Sequence, residues 1–197
     1  MKSKVMLIYV AMVCLSFGLF SGCKGKTRTE SSDNNVLKQE QLVQRGDYLV
    51  FVCGCNDCHS PKRMGQKGPE VIPELMLSGY QADAALPPID KNVLKKGWTL
   101  MTADLNAAVG PWGVSFAANL TSDQTGIGNW PEENFIRALK EGKFKGIEGG
   151  RTLLPPMPWQ NFARTPVEDL KAIFAYLKST KPVRNLVPLA IAPDDIK

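Results

Sequence analysis

The chain has 197 residues, 44% of them hydrophobic and 22% charged, which fits one globular domain plus a targeting segment and argues against wholesale disorder. Its net charge is +5, and without Lys2 and Lys4 the balance is 22 basic against 19 acidic residues, or +3. This charge is too small to indicate nucleic-acid binding, although it could steer docking onto an acidic partner.

The amino terminus has the pattern of an export signal. Lys2 and Lys4 precede an apolar run over residues 5–20, which is shorter than the ~20 residues that span a bilayer. Gly22 and Cys23 then resemble the end of a bacterial lipoprotein signal, which implies lipid on Cys23. We therefore predict a lipoprotein-type signal peptide over 1–22 and an exported, periplasmic protein that is lipid-anchored to a bacterial membrane. An ordinary cleaved signal and an uncleaved anchor remain alternatives.

The next segments divide into a tether and a domain. Residues 23–35 are mostly polar and lack an apolar period, so they predict a flexible tether, and the domain is expected over 36–197. A first helix is predicted over about 36–52, although Gly46 weakens it. Residues 61–113 are rich in Pro and Gly and are expected to be mostly loop with short helical turns.

Two later helices are better marked. One begins near Pro131, with acidic residues in its first turn, and Gly142 can end it. The last helix starts at a predicted capping box formed by Thr165, Pro166 and Glu168, and it carries an apolar stripe. With about three helices and no βαβ unit, the sequence predicts an all-α fold class.

The motif Cys55-Asn56-Asp57-Cys58-His59 carries the chemistry. The pattern C-x-x-C-H is the attachment site of c-type haem. Two thiols three residues apart lie on one helical turn, so each can form a thioether with one vinyl group of the same porphyrin, and His59 points the same way toward the iron. We predict one covalent haem c, bound by Cys55 and Cys58 and ligated by His59.

Other uses of these cysteines remain open. A thioredoxin-like redox pair would lie near a βαβ pattern, which the sequence lacks. A zinc site would have to crowd Cys53, Cys55, Cys58 and His59 into seven residues. A chance occurrence of the motif is the third alternative.

His59 is the single histidine of the chain, so a second histidine ligand within the monomer is excluded. The sixth iron ligand is then methionine, another weak ligand, water or nothing, and Met/His pairs raise the reduction potential. Four methionines follow the signal: Met64, Met76, Met101 and Met157. Met64 would have to double back around the porphyrin, and Met76 and Met101 resemble apolar filler.

Met157 is the predicted axial ligand. It lies in Leu-Leu-Pro-Pro-Met-Pro-Trp, where flanking prolines fix φ and hold the backbone extended, so little entropy is lost on ligation. The alternative is a surface turn whose methionine packs on Trp159. Trp112, Trp130 and Trp159 are equally well interpreted as walls of a haem pocket or as ordinary core and surface aromatics.

The order of these features resembles the class I cytochrome c family. The stretches GDYLVFVCGCNDCHSPK, GPWGVSFAANLTSD and LLPPMPWQNFARTPVEDLKAIFAYLKS look like a group of bacterial exported monohaem cytochromes, over most of residues 41–188. The resemblance implies a cytochrome c fold with a long Pro/Gly-rich insertion, in which the first and last helices cross. Gly46 and Tyr48 would then face Phe174 and Tyr176 or Leu177.

Cys53 departs from this pattern, which has a small residue such as Ala there. We interpret it as a small buried thiol beside the haem, with a disulfide-linked dimer as the alternative.

The resemblance and the motif together imply an electron carrier and not an enzyme, with no catalytic residues of its own. Its expected partners are redox proteins, namely a dehydrogenase, an oxidase or other cytochromes, and the membrane through the lipid. One alternative is the haem c subunit of a multi-chain dehydrogenase or oxidase complex. A haem enzyme with an open sixth site is the less favoured one.

Overall fold

The computed structural model describes residues 28–196, with side chains from residue 38 onward. The chain divides into two units, Met1–Lys38 and Gln39–Lys197. The described α-helices are α1 (Arg28–Val52), α2 (Cys55–His59), α3 (Lys91–Lys95), α4 (Glu132–Lys140), α5 (Trp159–Phe162) and α6 (Val167–Ser179). The strands are β1 (Lys62–Gly65), β2 (Gly68–Val71), β3 (Leu100–Met101), β4 (Ala107–Gly110) and β5 (Gly113–Phe116).

The first helix ends where the sequence predicts but begins earlier. It runs from Arg28 to Val52, so residues 28–35, expected as part of the tether, are helical. The predicted signal peptide and Cys23 lie outside the described residues, and the boundaries 1–22, 23–35 and 36–197 stay predictions. Within residues 28–196, none of the helices combines the length and the apolar character needed to cross a membrane.

The predicted all-α fold class is wrong. Residues 28–196 contain six α-helices and two small antiparallel sheets. Strand β1 pairs with β2, and β3, β4 and β5 form a second sheet in that order. Both sheets lie almost entirely in the segment 61–113, which the sequence predicts as loop.

Two tight hairpins explain why these strands escape prediction from the sequence. Gly65 pairs with Gly68 at the end of the first hairpin, and Gly110 pairs with Gly113 at the end of the second, so each turn has two residues. Gly68 and Gly113 have φ of 119° and 95°, values that favour glycine. Four-residue strands are too short for a clear alternation of polar and apolar residues.

The two later helices are confirmed. Helix α4 follows Pro131 and ends before Gly142, and α6 follows Pro166. The predicted capping box is wrong in detail, because Pro166 occupies the N-cap position and no side chain there accepts a hydrogen bond from the helix. Proline fixes the backbone angle at this position and leaves the first amide groups of α6 without a side-chain cap.

One hydrophobic core joins α1, α4 and α6. Its buried members are Leu49, Val50, Leu77, Ile127, Phe135, Leu139, Leu170, Ala172, Ile173, Phe174 and Leu177. Burial of each large apolar side chain contributes roughly 1.5–3 kcal/mol, so α6, with Leu170, Ile173, Phe174 and Leu177 in the core, supplies much of the driving force. A smaller cluster forms around Val109, Val114 and Ile196 beside the second sheet.

The predicted contact of the first and last helices is confirmed at Gly46 and not at Tyr48. A Cβ on Gly46 would overlap the carbonyl oxygen of Ala172 and lie 2.7 Å from the Cβ of Tyr176. Tyr48 is instead exposed, beside the guanidinium of Arg45. Arg45 also binds Asp169 on α6 through Nε–Oδ1 and Nη2–Oδ2 distances of 3.0 and 3.2 Å.

A buried polar network fastens the carboxy-terminal segment. The amide of Asn185 donates to the carbonyls of Ser78 and Tyr80, at 2.8 and 2.9 Å, and accepts from the backbone N–H of Ala82 at 3.0 Å. Asn119, also buried, donates to the carbonyls of Val183 and Asn185. These amides hold the residues after α6 against the loops that surround the motif helix.

Candidate haem-attachment site

The motif occupies its own short helix. Gly54, with φ of 68°, separates α1 from α2, and the N–H of Asp57 donates to the carbonyl of Gly54 at 3.0 Å. The left-handed conformation suits glycine and turns the chain between the two helices. Cys55, Cys58 and His59 therefore lie on one helical turn, as the spacing predicts.

His59 is oriented by a backbone carbonyl. Its Nδ1 lies 2.7 Å from the carbonyl oxygen of Ala118. Because a carbonyl oxygen only accepts, Nδ1 carries the proton and Nε2 keeps a free lone pair. This is the arrangement of metal-ligating histidines, whose second ring nitrogen donates to a backbone or carboxylate oxygen. Burial lowers the pKa of His59, which favours the neutral imidazole that ligation requires.

Backbone hydrogen bonds hold the Ala118 carbonyl in place. The N–H of Gly79 donates to the carbonyl of His59 at 2.8 Å, and the N–H of Tyr80 donates to that of Ala117 at 3.0 Å. On the other side, the N–H of Leu120 donates to the carbonyl of Leu77 at 2.8 Å. The helix carrying His59 and the strand-like segment carrying Ala118 are thus joined through residues 77–80.

The two motif cysteines are partly buried free thiols. Desolvation raises the pKa of Cys55 to about 12, and it also raises that of Cys58, which the nearby ammonium of Lys62 partly offsets. Neither forms a disulfide within residues 28–196. Both thiols are therefore protonated at neutral pH. Because they lie on one helical turn, both could bind the same porphyrin.

Cys53 does not have the predicted environment. It is exposed, and the expectation of a buried thiol is wrong, because the end of α1 turns this side chain away from the core. Among the described residues, the Cys53, Cys55, Cys58 and His59 side chains do not form the kind of group that could hold a metal ion, which the zinc alternative requires.

Lys62 closes the carboxyl end of α2. Its ammonium lies 2.6 Å from the carbonyl of Asp57, 3.1 Å from that of Ser60 and 2.9 Å from that of Asp104. The last carbonyls of a helix have no partner within it, and a cation there also suits the negative end of the helix dipole. Lys62 thus fixes the attachment helix to the turn before β4.

The four methionines differ in how far they are exposed to solvent. Met64, Met76 and Met101 are exposed, with exposed fractions of 73%, 40% and 44%. Met157 is partly buried and packs against the same hydrophobic core that Cys55 contacts. Of the four methionines in residues 28–196, it is the one that packs against the core that Cys55 also contacts.

Met157 belongs to a loop with several fixed points, which we call the methionine loop (residues 153–158). The N–H of Leu153 donates to the carbonyl of Gly142 at 2.7 Å, and the N–H of Trp159 donates to that of Met157 at 2.9 Å. Trp159 covers Gly142, where a Cβ would overlap the indole. Trp130 packs against the core, and Trp112 lies on β-hairpin residue Gly110.

These residues fit a covalent haem. The chain supplies two protonated thiols on one turn, an imidazole whose free nitrogen is defined by Ala118, and a thioether on the shared core. Sequence reasoning missed Ala118 because it acts through its backbone, which no residue type marks. It also missed Lys62. The signal was available, because a Lys just beyond the end of a helix can bond the last carbonyls of that helix.

The comparisons with known proteins point to the same class. No protein-family model matches the chain. The cytochrome c subunit of an alcohol dehydrogenase (quinone) from Gluconobacter oxydans is 39% identical over 170 residues, which is 85% of this chain and 26% of the relative. The gluconate 2-dehydrogenase cytochrome c subunit of Pantoea cypripedii is 28% identical over 157 residues, 79% of this chain and 26% of the relative.

A third match links the chain to the fructose dehydrogenase cytochrome subunit of Gluconobacter japonicus, at 29% identity over 143 residues, 72% of this chain and 22% of the relative. The chain spans about a quarter of the length of these relatives. All three are named as cytochrome subunits of dehydrogenases, which supports the prediction of a c-type cytochrome. The class I assignment and the lipoprotein type stay predictions.

Proposed function

We propose that the protein transfers single electrons through one covalently bound haem c, with thioethers to Cys55 and Cys58 and with His59 and Met157 as axial ligands. The observation that carries the proposal is the hydrogen bond from His59 Nδ1 to the Ala118 carbonyl, because it fixes the tautomer in which Nε2 would be free to bind haem iron. Bound haem supplies the one-electron chemistry, and the protein supplies burial and orientation.

The chain's own residues favour electron transfer over substrate chemistry. Met157 on the core would fill the sixth position, which leaves no site for a substrate. An apolar pocket disfavours the extra charge of ferric iron, and a thioether ligand acts in the same direction, so the reduction potential is expected to be high. Rapid binding of carbon monoxide to the ferrous protein would contradict this and revive the enzyme alternative.

A dehydrogenase is the proposed electron donor. Three matched relatives are named cytochrome subunits of dehydrogenases, which supports a role as electron carrier or haem subunit beside a substrate-converting chain. Affinity purification of the tagged holoprotein from its native host tests this. Recovery of a dehydrogenase chain is expected, and recovery of the cytochrome alone would favour a free-standing carrier.

We also propose export and lipid anchoring at Cys23, on the basis of the charged start, the apolar run and the Gly22–Cys23 junction. Several acyl chains give stable membrane attachment where one does not. The C23S variant should move from the membrane to the soluble fraction, while C53S should stay on the membrane. Unchanged membrane attachment of C23S would contradict the lipoprotein assignment.

The central experiment is mass spectrometry with visible spectra of both redox states. Haem mass should remain on the denatured chain after acid–acetone extraction, C55A and C58A should each lose one thioether, and C53A should be unaffected. H59A should lose the low-spin spectrum. Free haem in the acetone and a colourless wild-type chain would overturn the proposal.

A further inference from the structure

The second sheet touches the methionine loop at one polar contact. Ser115 on β5 has its hydroxyl 2.6 Å from the carbonyl oxygen of Pro155. The same hydroxyl lies 3.4 Å from the carbonyl of Ala108 and accepts from the indole N–H of Trp112 at 3.2 Å. A hydroxyl has one proton, so the shorter contact identifies Pro155 as its acceptor.

The methionine loop offers few other points of attachment. Pro155, Pro156 and Pro158 have no N–H, so the residues beside Met157 are held from outside mainly through their carbonyls. The N–H of Met157 bonds within the loop, to the carbonyl of Leu154 at 3.3 Å. Ser115 is forty positions away in sequence and holds the carbonyl two residues before Met157.

On its carboxyl side the loop is tied to α5, where the N–H of Trp159 donates to the carbonyl of Met157 and the N–H of Asn161 donates to that of Pro158. The other hydrogen bonds of this region to distant parts of the chain lie further along the chain from Met157. Leu153 is held by Gly142, and Lys140 donates to the carbonyls of Ala163 and Thr165 beyond α5, at 3.0 and 2.6 Å. These contacts fix the two ends of the region. Between them, the contact from Ser115 restricts the segment that carries Met157.

We propose that Ser115 is a positioning residue that holds the methionine loop against the second sheet and thereby keeps Met157 on the iron. The inference rests on the proposed function. A thioether is a weak ligand, so its occupancy depends on how much freedom its loop has when it is released. This proposal gives the second sheet (β3, β4 and β5) a role in ligation of the haem iron. Neither the C-x-x-C-H motif nor the relatives' names assign that role.

The test uses the holoprotein and displacement of the sixth ligand by imidazole, followed by the far-red absorption band of methionine-ligated ferric haem. Loss of one neutral hydrogen bond should lower the imidazole concentration for half-displacement about two- to tenfold in S115A. The alkaline pH at which the band disappears should fall as well. S115T keeps the hydroxyl and should restore wild-type behaviour, and S115C, of similar size with a weak donor, should be intermediate.

The matched control is S122A. Ser122 also donates its hydroxyl to a backbone carbonyl, that of Thr180, but it has no contact with the methionine loop. S122A should lower stability to urea without changing imidazole displacement. If S115A behaves like S122A while M157A abolishes the band, this inference is overturned and the proposed ligation stands. If M157A leaves the band unchanged, both are overturned.

Discussion

Gly46 on α1 lies directly against the backbone carbonyl of Ala172 on α6. The two helices can approach this closely because glycine has no side chain at the contact. Leu49 and Val50, one turn later on α1, then reach the core formed with Leu170 and Ile173. Since α2 follows α1 after only Cys53 and the left-handed Gly54, this contact also determines where the attachment helix begins.

G46A is expected to destabilise the holoprotein. Alanine is the better helix former by about 1 kcal/mol, but its methyl group would overlap the Ala172 carbonyl and separate the helices. The clash is the larger effect, and we expect a net loss of about 2 kcal/mol or more in the free energy of unfolding, measured in urea. Q44A, at an exposed position of the same helix, is the control and should lose nothing. An unchanged midpoint for G46A would contradict the close contact.

N185A is expected to loosen the carboxy-terminal segment. The substitution leaves the N–H of Ala82 and the carbonyls of Ser78 and Tyr80 without their partner, at a site where Asn185 is only 6% exposed. Buried unsatisfied groups cost roughly 1–3 kcal/mol each, so a loss of about 2–4 kcal/mol is expected after partial rehydration. Urea unfolding measures it, with N129A at an exposed position as control. Equal midpoints for the two variants would show that the network contributes nothing.

The sequence predicted the parts of the site that depend on side-chain chemistry and local spacing. The turn carrying Cys55, Cys58 and His59 follows from C-x-x-C-H, and α6 follows from its apolar stripe. The strands were missed because Gly and Pro at the hairpin ends resemble loop composition, and four residues show no reliable alternation.

The contacts of Ala118 and Ser115 were missed for a different reason. Ala118 acts through its carbonyl, and Ser115 acts on a carbonyl forty residues away, so neither leaves a local pattern. Asn119 shows the same limit: it is a buried polar residue whose amide donates to the backbone carbonyls of Val183 and Asn185, far along the chain. Long-range contacts with the backbone require the fold before they can be inferred.

K62Q is expected to change both stability and reduction potential. Removing the ammonium deprives the carbonyls of Asp57, Ser60 and Asp104 of a charged donor, which should cost about 1.5–3 kcal/mol in urea unfolding. Loss of a positive charge beside the attachment helix favours ferric iron, so the midpoint potential should fall, on the order of tens of millivolts.

R63Q is the matched control for K62Q, because it removes the same charge at the next, exposed position. Redox titration should show a smaller shift for R63Q, and urea unfolding should show none. Equal shifts in both variants would mean that net charge, and not the contact with α2, sets the effect.

Ionisation of Tyr176 is expected to lower the free energy of unfolding at alkaline pH. Burial, together with the nearby Asp47 carboxylate, raises the pKa of its phenol to about 12 in the folded protein, against about 10 in an unfolded chain. Between these values the unfolded chain loses the phenol proton while the folded protein keeps it. The stabilisation is therefore complete below pH 10 and declines as the pH rises toward 12.

Y176F removes this ionisation, so its free energy of unfolding should fall less steeply between pH 10 and 12 than that of the wild type. The measurement is urea unfolding followed by far-ultraviolet circular dichroism, which reports the helices and is independent of iron ligation. Y48F, at an exposed tyrosine of α1, is the control and should keep the wild-type slope. If Y176F and the wild type decline in parallel, the neutral phenol of Tyr176 contributes nothing to the contact between α1 and α6, and the alkaline loss arises from other groups.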